Sequence, residues 1–246
     1  MSQSGFLLIA DISGYTEFLQ LHNMRKRPVV GNKMADMFES HAEMIISDLL
    51  EAVIDKIEPE MQLNKLEGDA AFFFCESTSD AAQADAIIAL MEAANEAFKA
   101  KADELVFVQA CGCDPCLQSK NLRLKIVAHK GEFTVQKIRR FEELAGEDVI
   151  LVHRLLKNDL NSDEYWLVTA DFFADLSKPN KDRFSKVTQE IDSFGSVKLN
   201  YLEFSTPEQR NEKVQRRSRF VNWLVQAGYF SRRSLKRGRS GKSAQQ

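Results

Sequence analysis

Phe6-Leu7-Leu8-Ile9-Ala10-Asp11-Ile12-Ser13-Gly14-Tyr15-Thr16 begins as an unbroken apolar run and ends it on a carboxylate. Five consecutive apolar residues bounded by polar ones predict a buried strand over Gly5–Ile12. Ser13 is placed to cap a first helix with Tyr15, Phe18 and Leu19 on one side. Pro28 and Gly31 then mark a break. From about Lys33 to Ile57, Met34, Met37, Phe38, His41, Ile45, Leu49, Ala52 and Val53 recur at helical spacing, and the helix must stop before Pro59. Met61–Leu66 and Ala70–Cys75 read as two strands about the tight turn Glu67-Gly68-Asp69. An Ala-rich helix is expected from Ser79 to about Lys101, and a strand over Leu122–His129 with Phe133–Ile138 placed to pair with it. Gly146–Lys157 follows as a helix, then strands about Tyr165–Thr169, Val187–Ile191 and Val197–Phe204. The order is strand, helix, helix, strand, strand, helix, strand. That is an α+β, ferredoxin-like pattern with an extra helix after the first strand, an antiparallel sheet and helices on one face.

In such a sheet the strands ending at Asp11 and starting after Asp69 are neighbours, so the two carboxylates converge at one edge. Two hard oxygen ligands held together suit magnesium, which leaves its other positions to water and substrate phosphates. The same residues also fit a plainer reading, in which Asp11 caps the first helix and Asp69 makes a turn.

The 246 residues are 44% hydrophobic and 28% charged, enough apolar mass for a substantial core. A net charge of -3 and an isoelectric point near 5.9 imply no general attraction to nucleic acid. The average conceals an asymmetry: from Arg210 onward there are eleven Lys or Arg against one Glu, so the preceding body is acidic and the tail basic. No stretch approaches the roughly 18 apolar residues of a membrane span, and no secretory leader is apparent at the N-terminus. Four cysteines in that context are expected as reduced thiols in a cytoplasmic protein. The expected domains are an α+β unit over 1–205, a basic amphipathic helix over 206–230 and a disordered basic tail over 231–246.

The opening strand, Phe6 to Thr16, resembles that of class III adenylate and guanylate cyclases. Lys65-Leu66-Glu67-Gly68-Asp69-Ala70 resembles their Lys-x-x-Gly-Asp hairpin. His129-Lys130-Gly131 resembles a later His-x-Gly turn, and Gly146-Glu147-Asp148-Val149 through Arg154-Leu155 the helix that follows. The resemblance covers residues 5–157. It implies that Asp11, Asp69 and the Ile12 carbonyl hold two Mg²⁺ or Mn²⁺ ions. Lys65 would read an adenine base with Glu143 loosely matching its acidic partner, and Arg154 would steady the transition state. The implied reaction converts a nucleoside triphosphate, with Lys65 favouring ATP, to a 3′,5′-cyclic nucleotide for signalling, with loss of pyrophosphate. The implied assembly is a homodimer with sites between subunits.

This chain departs from the pattern in the nucleotide half. Ile150 stands where the family has an asparagine, four residues before the arginine, and Glu132 where many members have a triphosphate-binding arginine. Gly195 and Lys198 only echo the lysine-bearing loop near the end. Asn158 lies close enough in sequence to take over the asparagine's role. A nucleotide-binding regulatory module without turnover is the alternative these departures support.

Cys111, Cys113 and Cys116 form a Cys-x-Cys-x-x-Cys cluster that could chelate zinc if Cys75 or His129 supplied a fourth ligand; otherwise it is a loop of reduced thiols. His41, on the apolar face of the long helix, reads as a packed core histidine, and His153 as either a site residue or a surface one. Phe220, Trp223, Leu224, Ala227 and Phe230 recur at helical spacing between flanking arginines. That segment is expected to pack on the body or on a dimer mate, with an anionic membrane surface as its alternative partner.

Overall fold

A computed structural model describes residues 2–22, 32–78, 80–108 and 121–204, with the backbone alone for 19–22, 32–42 and 106–108. The cysteine trio, the His41 side chain and everything after residue 204 lie outside the described residues.

The first apolar run forms β1 (Gln3–Ser13), followed by α1 (Tyr15–His22) and α2 (Asn32–Ile57). Then come β2 (Gln62–Glu67), β3 (Ala70–Glu76), α3 (Gln83–Val108), β4 (Arg123–Ile138), β5 (Phe141–Ala145) and α4 (Glu147–Arg154). The last part holds β6 (Tyr165–Thr169), the short α5 (Ala170–Ala174) and α6 (Lys178–Lys181), β7 (Ser185–Ile191) and β8 (Gly195–Glu203). The strands join in the order β2-β3-β1-β4-β6-β8-β7, with β5 hairpinned onto the far half of β4. All pairings are antiparallel except β4 with β6. The α+β class with a mostly antiparallel sheet is as the sequence predicts.

Alternation along β1 divides the core. Phe6, Leu8, Ala10 and Ile12 face α2 and α3, whose Ile45, Leu49, Val53, Ile87, Met91 and Phe98 cover them. Leu7 and Ile9 face the other way, toward Val149, Val152 and Leu155. The two long helices thus share one face, but α4 lies on the opposite one, which corrects the expectation of helices on one face. The physical cause is the period of two in a strand: both faces of β1 are apolar, so both must be covered.

Other differences are local. Ser13 does not cap the first helix; its hydroxyl donates to Asp163, and α1 begins after Gly14. Leu122–His129 and Phe133–Ile138 belong to a single strand, because the partner of the second half is β5. The third helix begins later than Ser79, since Thr78 and Asp80 make a side-chain-bonded turn first: Thr78 N–H donates to Gln83 Oε1 and Ala82 N–H to Asp80 Oδ1.

Candidate active site

Antiparallel pairing of β1 with β3 puts Asp11 directly opposite Ala70, one residue from Asp69. The Ile12 N–H donates to the Asp69 carbonyl at 3.2 Å, which closes the end of the two strands. Gly68, at φ +66°, makes the turn that brings Asp69 there, a conformation other residues reach only with strain. Alternation places Asp11 on the same face as Leu7 and Ile9, the face that carries α4.

Burial, helped by the nearby Asp69 charge, raises the Asp11 carboxyl to about 6 against the opposing pull of Lys125. Burial also raises Asp69, while its own backbone hydrogen bond and Lys125 oppose the shift. Lys125 lies across from Asp11 on β4, with its ammonium 5.7 Å from the centre of the Tyr165 ring. Two partly desolvated carboxylates, with Lys125 on the far side of Asp11 from Asp69, leave negative charge that a small divalent cation would relieve. Among the described residues no group of three or more His, Cys, Asp or Glu side chains is placed to hold a metal. A carboxylate pair alone is a set that magnesium can use only if water and substrate phosphates supply its remaining positions.

A second cluster lies beside the first. The Lys65 ammonium is 2.7 Å from Glu67 and 4.0 Å from Glu143, so the expected lysine and acidic partner do meet. Glu67 also lies 3.2 Å from His153 Nε2, and the His153 ring packs edge-on against Phe72. Burial pushes the Glu67 carboxyl up, but Lys65 and His153 outweigh it and hold it below its usual range. Sequence reasoning passed over Glu67; its signal was a charged residue in the turn of a hairpin, two positions from Lys65.

Arg154 turns to Asp192 in the β7–β8 turn, 3.3 Å away. Ile150 is 54% exposed on α4. Asn158 is engaged within its own chain: its amide donates to the Leu155 carbonyl and the Tyr165 hydroxyl, and its oxygen accepts the Leu160 N–H. Glu132 pairs with Ser4, seven register positions along β4 from Lys125, or about 23 Å. Within one chain it is therefore remote from the Asp11 edge.

His129 is buried. Its Nδ1 lies 2.8 Å from the Thr169 hydroxyl, and its Nε2 lies 3.1 Å from Asp148. The cysteine trio lies outside the described residues, so the structure does not show His129 beside it. Asp148 also accepts the Glu132 N–H at 2.6 Å, so the start of α4 is tied to the middle of β4, where His129-Lys130-Gly131 runs as strand and not as the expected turn.

Comparison with known proteins places this geometry. A family described as "Protein of unknown function (DUF2652)" matches residues 46–165. The "Uncharacterized protein Rv2561/Rv2562" of Mycobacterium tuberculosis is 34% identical over 163 residues, 66% of this chain and 75% of that protein. Among solved structures, the adenylyl cyclase CyaB from P. aeruginosa superposes with a TM-score of 0.58 at 16% identity, covering 84% of this chain and 97% of that one. The guanylyl cyclase Cya2 gives 0.59 at 14%, covering 85% and 96%. A Trypanosoma brucei adenylate cyclase, solved in its monomeric state, gives 0.52 at 14%, covering 81% and 89%. At these identities the likeness is one of fold. The chain belongs to the same family as the mycobacterial protein Rv2561/Rv2562, and it carries that family's sequence on the fold of adenylyl and guanylyl cyclase domains.

Proposed function

We propose that this protein is a class III nucleotidyl cyclase-like enzyme, forming a 3′,5′-cyclic nucleotide from a nucleoside triphosphate, with ATP the first candidate. The observation that carries the reading is the Asp11–Asp69 pair, two partly buried carboxylates at the end of adjacent strands with their pKa values raised. Mg²⁺ or Mn²⁺ held by Asp11, Asp69 and the Ile12 carbonyl would supply the charge that lets a ribose 3′-hydroxyl attack the α-phosphate as pyrophosphate leaves. Lys65 and Glu143 would present one donor and one acceptor to the base. Arg154, only loosely held by Asp192 at the surface, is free to move onto a phosphate oxygen and offset its developing charge. In a homodimer, α4 of one subunit would face the Asp11 edge of its partner and bring Arg154 toward the phosphates. The enzyme would act in the cytoplasm as a source of a cyclic nucleotide signal; among the described residues no helix is long and apolar enough to cross a membrane.

A second reading, a nucleotide-binding module that turns over slowly or not at all, is favoured by Ile150. An exposed aliphatic side chain there offers no hydrogen bond to a ribose. Losing one preorganised polar contact of that type costs on the order of 10²–10³ in rate. The test is incubation of the purified protein with each of the four nucleoside triphosphates and Mg²⁺ or Mn²⁺, with mass detection of cyclic products. Slow, Mn²⁺-favoured cyclisation that rises in Ile150→Asn supports the enzyme. Nucleotide binding that depends on Asp11 and Asp69 without any cyclic product selects the module.

A further inference from the structure

On the face of the sheet opposite Asp11, α2 and the β2–β3 hairpin leave a groove of about 340 Å³, whose hairpin end, at Tyr15 and Gly68, borders Asp69. Its apolar floor is Ile46, Leu50 and Ile54, one ridge of α2 at i, i+4 and i+8, closed at the hairpin by Leu66, which is 56% exposed. Its rim carries the exposed carboxylates Glu43 and Glu51. Residues 43–69 as a whole hold eight Asp or Glu against two Lys. An apolar floor under an acidic rim fits the apolar face of a basic amphipathic helix.

This chain contains such a segment. Phe220, Trp223, Leu224 and Ala227 recur at i, i+3, i+4 and i+7, with Arg216, Arg217 and Arg219 before them and Arg232 and Arg233 after. The register shows that it can reach. Glu203, at the end of β8, pairs with Tyr165, and β6 runs parallel to β4, so the chain leaves β8 at the sheet end where Asp11 and Gly68 lie. From β8 to β2 is five strand spacings, about 24 Å. The residues from 205 to 219 span up to roughly 50 Å when extended. We infer that the basic segment around Trp223 docks in cis in the acidic groove between α2 and the β2–β3 hairpin. Trp223 and Leu224 sit against Leu50 and Ile54, and the flanking arginines face Glu43 and Glu51. The inference does not depend on the cyclase reading.

The test uses the full chain with Trp223→p-benzoylphenylalanine, irradiated at low protein concentration, the cross-linked peptides being identified by mass. The expected result is intrachain cross-links into residues 43–54 and 66–68. Glu43→Lys with Glu51→Lys, both on exposed surface, should lower their yield about fivefold or more with thermal unfolding unchanged, since each exposed ion pair contributes up to about that factor. High salt should act in the same direction. Cross-links that join only separate chains, that map outside the groove, that ignore the double charge reversal, or that form only on phosphatidylserine vesicles overturn the inference. The first of these would assign the segment to a second copy, and the last to a membrane surface.

Discussion

Asp11 is held at a cost in the absence of a cation. Burial and the neighbouring Asp69 both disfavour its charged form, and Lys125 offsets only part of this. Asp11→Asn should therefore raise the melting temperature of metal-free protein by about 2–4 °C, the shift that about 1 kcal/mol gives in a domain of this size. The same change should abolish the further rise that Mn²⁺ and nucleotide together produce in the wild type. Scanning fluorimetry with and without both ligands reads the two effects, and a lowered metal-free melting point would count against the account. His129 gives a pH dependence of known sign. Burial lowers its pKa from the ordinary 6.5, against the pull of Asp148 and Asp171. The unfolded chain then takes up this proton at higher pH than the folded one does. The stability contributed by the neutral ring is complete above the ordinary value and is lost as pH falls below it. Urea unfolding of His129→Asn should show lower stability at neutral pH, but a shallower decline between about pH 7 and 5, than the wild type.

At the scale of elements, α4 is the piece whose placement matters most to the candidate site, because it carries Ile150, His153 and Arg154. Its first turn is anchored by Asp148, which reaches both His129 and the Glu132 N–H. That approach requires Gly131: a Cβ there would stand 2.3 Å from the Asp148 carboxylate oxygen. Gly131→Ala should push Asp148 out of its contacts and cost about 1–2 kcal/mol by overpacking. A lowered urea midpoint measures it. A midpoint within error of the wild type would mean that α4 is held by its apolar face alone. The hairpin β2–β3 plays the matching part for Lys65, which its bulge between Leu63 and Lys65 turns toward Phe72 and Glu143.

At the scale of the whole molecule, three of the six large exposed apolar side chains among the described residues lie on one arm, the others being Leu66, Ile150 and Phe204. Val135, Ile138 and Phe141 on the β4–β5 hairpin are 42%, 58% and 55% exposed, and alternation places Val135 and the Ile138–Phe141 pair on opposite faces of the arm. Arg140 covers part of the Phe141 ring, at 5.0 Å, but leaves its edge open. A homodimer that buries this arm would explain the pattern. Phe141→Asp should shift the protein from dimer to monomer in sedimentation velocity with little change in melting temperature, since the residue contributes little to the core of one chain. A wild-type protein that sediments as a monomer at tens of micromolar would remove the dimer from the proposed function.

Read alone, the sequence determined the class of the fold, because its signals are local. An apolar run, an Ala-rich helix and a Gly-Asp turn each declare themselves within a few residues. It also put Asp11 near the end of one strand and Asp69 in the turn before another, and the strand order then makes them neighbours. Contacts between distant residues were not legible. Nothing near His129 in sequence names Thr169 or Asp148, and nothing near Asn158 announces that Leu155 and Tyr165 consume its amide. The remoteness of Glu132 follows from the register of β4 against β1, which is set by the pairing of whole strands. The second face of the sheet was missed for the same reason: α4 is short, and only the packing of Val149, Val152 and Leu155 on Leu7 and Ile9 decides which side it covers. Local patterning specifies elements, whereas the meeting of side chains across a sheet depends on register and burial, which only the tertiary structure decides.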